Sequence, residues 1–526
     1  MRKQLFIFLL FPILGIAQVE QILNFYWAYP TKVNNKIVFV RTEPTFGNEL
    51  WVTDGTTAGT TILMDIVIGA GSSNPYLLTV IDDVIYFQAN TDEIWRTDGT
   101  TGGTYKMVDN NAITNPSGFT KANGFIFFTE GNNTNRSLWR MQTTPNSEVQ
   151  ITQGDSQILQ NIGFDLVALN DNAILFNAYT SAHRWAIWRT NGIVSEMIAD
   201  LFPNTSPDMS QMYYGAKKIG NKVYFPALSE QYGGEYFTTD GTVNGTSLLK
   251  DIFVSASYYD SSTVSENGFV EVGSNIFFVA KDNTNGLELW KTDGTNAGTL
   301  MVKDITPGNN NSSWSPGGLT AFNNQLYFNK NDGANGSQIW KTDGTENGTI
   351  MITTPTVNNI FSNELFVSQG FLFFSSYTSN NTTGIELWML DSNDQAFLIQ
   401  DIAPGNASSS PAQFMELNGY VYFNASVDGT YAGTKVFRIN PQTLATTSFA
   451  TEDIQMFPNP TEDFVTLNLE NSETYQIKVF NVEGQQLNLR MDNNTIDFTS
   501  VPTGIYYITV LDTSTDKKNT KKIIKK

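Results

Sequence analysis

One phrase recurs along the chain and limits what the chain can become. "ELWVTDGTTAGTTILMDI" starts at Glu49, "EIWRTDGTTGGTYKMVDN" at Glu93, "ELWKTDGTNAGTLMVKDITPG" at Glu288 and "QIWKTDGTENGTIMI" at Gln338. Aligned on its aromatic residue, the series runs Trp51, Trp95, Trp139, Trp188, Phe237, Trp290, Trp340, Trp388 and Phe437. Neighbours lie between 44 residues (Trp51 to Trp95) and 53 residues (Phe237 to Trp290) apart. Each is preceded by a second apolar burst, such as "KIVFV" at Lys36, "VIYFQA" at Val84, "FLFFSS" at Phe371 and "YVYFNA" at Tyr420. Nine units therefore cover residues 19–452. A period of about 40–50 residues belongs to propellers and repeat arrays.

Each unit reads as four short strands. Around Trp95 these are "LLTVID", "VIYFQA", "EIWRTD" and "TYKMVD", separated by polar pairs suited to tight hairpins. The second strand decides the architecture. "VIYF", "FIFF" and "FLFF" do not alternate apolar with polar, as a sheet with one wet face would. Both faces must be covered, which four-stranded blades stacked around an axis achieve. The expectation is an all-β chain: a β-propeller of four-stranded repeats, then a small β-sandwich. Whether nine units make eight or nine blades stays open, because the N-terminal strand could complete the last one.

The two ends differ from the middle. Arg2 and Lys3, an apolar run from Leu5 to Ile16 and small residues at Gly15–Ala17 read as an export signal over residues 1–18. The run is shorter than the roughly 20 residues a membrane span needs. There is no cysteine, so burial and strand pairing must stabilise the exported protein. The formal charge of −20 disfavours nucleic acid and anionic lipid as partners.

The segment "TDGTxxGT" has two readings. Asp, Gly and Thr in that order suit an Asx-type turn, with Gly supplying positive φ. Alternatively, Asp54, Asp98, Asp240, Asp293 and Asp343 could be Ca²⁺ ligands. One carboxylate per loop is few for an ion that takes about 6–8 oxygens, so the turn is favoured and no metal or other cofactor is expected. The phrase resembles the signature of ELWxxDGT repeat proteins, found on exported bacterial surface chains. That resemblance is specific around Trp51, Trp95, Trp290 and Trp340 and looser at Phe237. Units three, four, eight and nine read as lacking the loop, with "SLWRMQTTPNSE", "AIWRTNGIVSE", "ELWMLDSNDQA" and "KVFRINPQT".

After Glu452 the rhythm changes. "MFPNPTEDFVTLNLE", "YQIKVFNVEGQQL" and "VPTGIYYITVLD" read as short strands of a small β-sandwich over residues 453–526. Phe457-Pro458-Asn459-Pro460, Gly484, Gly504, Tyr506 and the basic end from Lys521 resemble the C-terminal sorting domain of type IX secretion substrates. The resemblance implies the type IX machinery as partner, passage to the outer surface or the medium, and removal of the tail.

Catalytic chemistry finds little purchase in this sequence. His183 is the single histidine, so a histidine-dependent triad could use only that residue. A glycosidase needs two carboxylates at separations the sequence does not give. Connections of the type "DIxPGxxSSxP" join units and carry aromatic residues: Tyr76, Tyr213, Tyr214, Tyr258, Tyr259 and Trp314. Exposed rings there would suit a sugar or a protein surface; packing on the loop beneath is the plainer alternative. The expected function is a secreted or surface-displayed binding or adhesion protein for glycan or protein, acting through a propeller rim. The alternatives are a polysaccharide-degrading lyase or glycosidase, and a structural surface protein without a defined ligand.

Overall fold

The computed structural model describes residues 19–526 except 133–134, 155–156, 164, 204–211, 213, 256–259, 264–267, 308–314, 353–356, 359–363, 379–382, 447–455, 470–474, 482–484, 493 and 513–516. Residues 1–18, where the export signal is expected, lie outside the described residues. Residues 18–441 form one compact unit, and residues 442–526 belong to another. The chain is all-β; among the described residues a single short helix, Pro441–Thr446, interrupts the strands.

The larger unit is a succession of antiparallel four-stranded sheets. In the first, Ala28–Val33, Lys36–Glu43, Gly47–Thr53 and Thr61–Met64 pair in chain order. In the second, Tyr76–Ile81, Val84–Ala89, Glu93–Thr97 and Tyr105–Lys106 do the same. The pattern recurs with first strands Ser117–Ala122, Val167–Asn170, Lys217–Ile219, Val270–Val272 and Gly317–Phe322; in the sheet that contains Phe366–Ser368, Val357–Asn358 pairs as a fifth strand with Phe371–Thr378. First hairpins such as Asp82-Asp83, Asn123-Gly124 and Asn323-Asn324 put both turn residues at positive φ. Such turns match the twist of the flanking strands.

Why the sequence repeats the "YF" and "LW" bursts is visible in the register. Phe39 faces Trp51, Phe87 faces Trp95, Phe128 faces Trp139, Phe278 faces Trp290 and Phe374 faces Trp388 across the two central strands. Central strands are buried on consecutive residues, as in Asn275–Asp282, so both faces are covered. The apolar cores lie between sheets. Val38 and Val52 of the first sheet pack with Ile85 and Phe87 of the second. Tyr224 and Tyr236 pack with Phe278 and Trp290. Each fully buried ring of this size contributes about 1.5–3 kcal/mol relative to exposure.

The last sheet is assembled differently. Ala412–Leu417, Tyr420–Ser426 and Thr434–Ile439 supply three strands, and Glu20–Leu23 supplies the fourth, with Glu20 opposite Arg438. Its core joins Tyr422 and Val436 to Trp27, Phe39 and Trp51.

The tail unit has two four-stranded sheets. One contains Met456–Phe457, Phe464–Leu467, Thr495–Asp497 and Met491–Asp492; the other contains Gln486–Leu487, Tyr475–Asn481, Gly504–Asp512 and Lys517–Lys525. Val465, Ile496, Val479, Ile508 and Ile523 draw both sheets into one core.

Candidate functional site

The DGT loop folds onto itself. Asp54 Oδ1 accepts from Thr56 N at 2.9 Å and from Thr56 Oγ1 at 2.7 Å. Thr56 Oγ1 in turn accepts from Gly59 N, and the hydroxyls of Thr53 and Thr60 meet at 2.7 Å. Gly55 sits at φ +94°, and a Cβ on Gly59 would lie 2.0 Å from Asp54 Oδ1. Every fixed letter of "TDGTxxGT" is therefore used. The loops of Asp98, Asp240, Asp293 and Asp343 repeat these bonds. Bonds from Thr56 hold the Asp54 carboxyl below its ordinary value. The loops also fasten sheets together: Lys36 Nζ donates to Gly99 O at 2.9 Å, and Tyr422 Oη donates to Gly55 O at 3.1 Å.

Unit nine corrects the sequence reading. It does carry the loop, as "DGTYAGT" from Asp428, with Thr430 N and Oγ1 donating to Asp428 Oδ1. The loop sits between Tyr420–Ser426 and Thr434–Ile439, one hairpin earlier than in the other units.

The glutamate that opens the phrase is a second fixture, which the sequence reading missed. Glu49 is fully buried and accepts from Ile66 N, Val67 N, Ser73 N and Ser73 Oγ. Glu386 holds Ile402 N, Ala403 N, Ser409 N and Ser409 Oγ. Each pins the "DIxPGxxSSxP" connection leading to the next sheet, so a buried carboxylate replaces water as the partner of loop amides. Glu235 accepts from Ile252 N, Phe253 N and Ser262 Oγ, and burial pushes its carboxyl up to about 7. Glu288 accepts from Thr306 N and Thr306 Oγ1 of its connection and also meets Lys330 Nζ of the following sheet at 3.1 Å, both charged side chains buried. Lys330 occupies the register position held by Ala89, Ala280 and Ala425 in the sheets after Glu49, Glu235 and Glu386.

A different local feature places aromatic groups in solvent. Five first strands carry a bulge at equivalent positions, with positive φ at Tyr29, Leu77, Gly118, Gly318 and Gln413. Thr31, Thr79, Thr120 and Thr320 each donate a hydroxyl back to the carbonyl of the bulged residue. Glycine adopts this conformation freely, whereas a bulky residue does so only when its surroundings hold it. Tyr29 and Gln413 stand where two other units have glycine.

Gln413 borders a cleft formed by the last sheet together with Tyr26, which lies between Glu20–Leu23 and Ala28–Val33. Its volume is about 280 Å³, and Tyr26, Ser410, Gln413, Asn424, Thr434 and Tyr431 are among its lining residues. Gln413 Nε2 donates to Tyr26 Oη at 3.2 Å, and Asn424 Nδ2 donates to Gln413 Oε1 at 2.8 Å and to Trp27 O at 3.0 Å. Tyr26 and Tyr431 rings lie 5.5 Å apart, and Tyr29 and Tyr76 rings lie 5.4 Å apart, edge to face. Tyr431 is 78% exposed, Tyr29 49% and Tyr76 47%. Burial raises the Tyr26 phenol above its ordinary value; the Gln413 bond opposes this, and Tyr431 and Tyr29 reinforce it.

Of the aromatic residues singled out in the sequence, Tyr76 thus joins Tyr29. Tyr214 is half exposed and stands elsewhere, near Asp165 and Arg136. Tyr213, Tyr258, Tyr259 and Trp314 lie outside the described residues. His183 sits in a turn, with Nδ1 3.4 Å from Asp200 Oδ2. Tyr26, Tyr29, Tyr431, Gln413 and Asn424 were missed. The available signal was the bulge position, where "GFT" and "GLT" become "YPT" and "QFM".

In the tail, the residues of the sorting motif cooperate. Asn459 Oδ1 accepts from Ile524 N, and Thr461 N donates to Ile524 O, so the Pro-Asn-Pro turn is tied to the basic last strand. Tyr506 is buried and donates to Pro502 O at 2.7 Å; Gly504 opens the same strand. Phe457 is exposed, Pro458 and Pro460 follow cis peptide bonds, and Gly484 lies outside the described residues.

Residues 455–526 match the secretion system C-terminal sorting domain. That match makes the chain a substrate for handling by the type IX secretion machinery, bound for the cell surface or the medium. Among the described residues no helix is long and apolar enough to cross a membrane. No curated protein matches the chain. Among solved structures it is similar to the computationally designed Ika8 protein (12% identity, 80% of this chain, 96% of that chain, TM-score 0.37). It is also similar to BamB from Moraxella catarrhalis (9%, 80%, 100%, 0.37) and to a puromycin hydrolase (11%, 78%, 60%, 0.36).

Proposed function

We propose that residues 19–452 close into a propeller of nine four-stranded blades, and that this ring is an exported glycan-binding protein whose sorting tail, residues 453–526, delivers it. Three contacts support closure. First strands touch their successors from Ala28–Val33 to Lys217–Ile219 and again from Val270–Val272 to Phe366–Ser368, and Ala28–Val33 also touches Ala412–Leu417. Cores alternate with sheets, including one between the last sheet and the first. The fourth strand of the last blade comes from the start of the chain, so closing the ring removes two apolar end faces at once.

The observation that carries the binding reading is a cleft lined by hydroxyls and amides with the exposed Tyr431 in its wall, together with a second exposed ring pair, Tyr29 and Tyr76, on the first two sheets. Tyrosine offers an apolar face and a polar edge with few rotors to freeze, which suits sugar rings. A hydrolase or lyase would need a positioned acid and base, whereas the groups lining the cleft are neutral. A glycan array run beside a reducing-sugar release assay on the exported full-length protein tests the reading. Binding without release supports it. Release of reducing ends transfers the chain to the polysaccharide-degrading class, and absence of binding to any glycan removes the reading.

A further inference from the structure

We propose that the cleft of Tyr26, Gln413, Asn424 and Tyr431 is a subsite for one uncharged pyranose ring, and that the Tyr29–Tyr76 pair is a second stacking platform for the same oligosaccharide. The proposal deepens the glycan-binding reading and rests on it.

Size comes first. A cleft of about 280 Å³ is at the small end of ligand pockets, which run roughly 300–1,000 Å³. It accommodates a single ring and is open at its edge, as a chain threading past requires.

Polarity selects the ligand class. Tyrosine, serine, threonine, glutamine and asparagine line the cleft without a cationic or anionic side chain. Asp428 and Glu364 adjoin the lining residues and both are occupied, Asp428 by the backbone and hydroxyl of Thr430 and Glu364 by the amides of Gln413 and Phe414. A phosphate, sulfate or uronate would find no counter-charge here, while a neutral polyol finds both donors and acceptors.

The groups are also set in advance. Asn424, buried in the last sheet, orients the Gln413 amide through its oxygen, leaving the Gln413 amide hydrogens toward Tyr26. Tyr26 Oη accepts that bond, and its raised phenol keeps its own proton for a ligand oxygen. Gln413 holds φ at 56° to reach this place, where the corresponding residues of two other blades are glycine. Such strain persists where surrounding contacts hold it and clusters at binding sites.

The test uses the exported full-length protein, with neutral hexasaccharides of glucose, mannose and galactose beside sulfated and uronate-containing oligosaccharides. We expect a neutral hexasaccharide to bind, Tyr431→Ala and Gln413→Ala each to weaken it at least tenfold, and Tyr76→Ala to weaken it less. Tyr214→Ala, remote from the cleft, should leave affinity unchanged. Tyr431 is so exposed that its variant keeps the fold, and the melting temperature checks this. Wild-type binding that survives both Tyr431→Ala and Gln413→Ala removes this subsite and leaves the glycan reading standing. Binding restricted to charged oligosaccharides overturns the neutral-ligand assignment. No binding by the wild type overturns the subsite together with the reading.

Discussion

The DGT loops and the cleft at Tyr26 use similar residue types to opposite ends. In a DGT loop the carboxylate, the three threonine hydroxyls and both glycines serve one another, and the loop closes on itself. In the cleft, hydroxyls, amides and two tyrosine rings line an opening, with the Gln413 and Asn424 amides bonded to each other and to Tyr26 and Trp27. The first arrangement recurs from unit to unit; the second sits where the last sheet meets the segment that leads into the first. Repetition therefore marks the fixtures of this fold, and polar groups that line an opening gather where the repeat is broken.

The largest effects should come from the fixtures. Trp27→Ala removes a fully buried ring packed on Phe39 and Tyr422, and should cost about 3–5 kcal/mol in urea unfolding. A loss below about 1 kcal/mol would mean that the join of first and last sheets contributes little. Lys330→Ala strands the buried Glu288 carboxylate and should cost a similar 3–5 kcal/mol. The double variant with Glu288→Gln should recover part of that, because the stranded charge is gone.

Glu235 sharpens the comparison through pH. Its folded pKa, about 7, lies above its ordinary value of 4.5, so the folded state holds the proton more tightly. Its contribution is full below about pH 4.5 and is lost as pH rises to about 7. The urea midpoint of the wild type should fall across that window, and Glu235→Gln should flatten the slope whatever its own stability. An unchanged slope would show that Glu235 titrates normally in the folded protein.

Smaller effects separate loop from cleft. Asp98→Ala loses its bonds to Thr100 and should cost about 1 kcal/mol, while chelation of divalent ions should leave the wild-type melting temperature unchanged. A drop of many degrees on chelation would return the loops to the metal-binding reading. Tyr431→Ala should alter stability by less than about 0.5 kcal/mol, since its ring is mostly in solvent.

How much was legible follows the same division. Strand order within units, the buried "YF" and "LW" pairs and the self-contained DGT turn could be read because each depends on residues close in sequence. The sorting tail was readable for the same reason, from its short motifs. The role of Glu49 and Glu386 was not, because their partners are loop amides some 16 to 24 residues away and a buried glutamate looks like a surface one on paper. The cleft was further out of reach. Gln413 and Tyr26 are 387 residues apart, as their hydrogen bond records.

By itself, the sequence determined the local chemistry of this protein: which segments pair, which rings are buried and which loop closes on its own aspartate. Only the tertiary structure decided that the first strand completes the last sheet, and so which neutral side chains and tyrosines share one opening. The physical reason is that hairpins and turns are satisfied by neighbours along the chain, whereas a site assembled from both ends exists only once the sheets between them have packed.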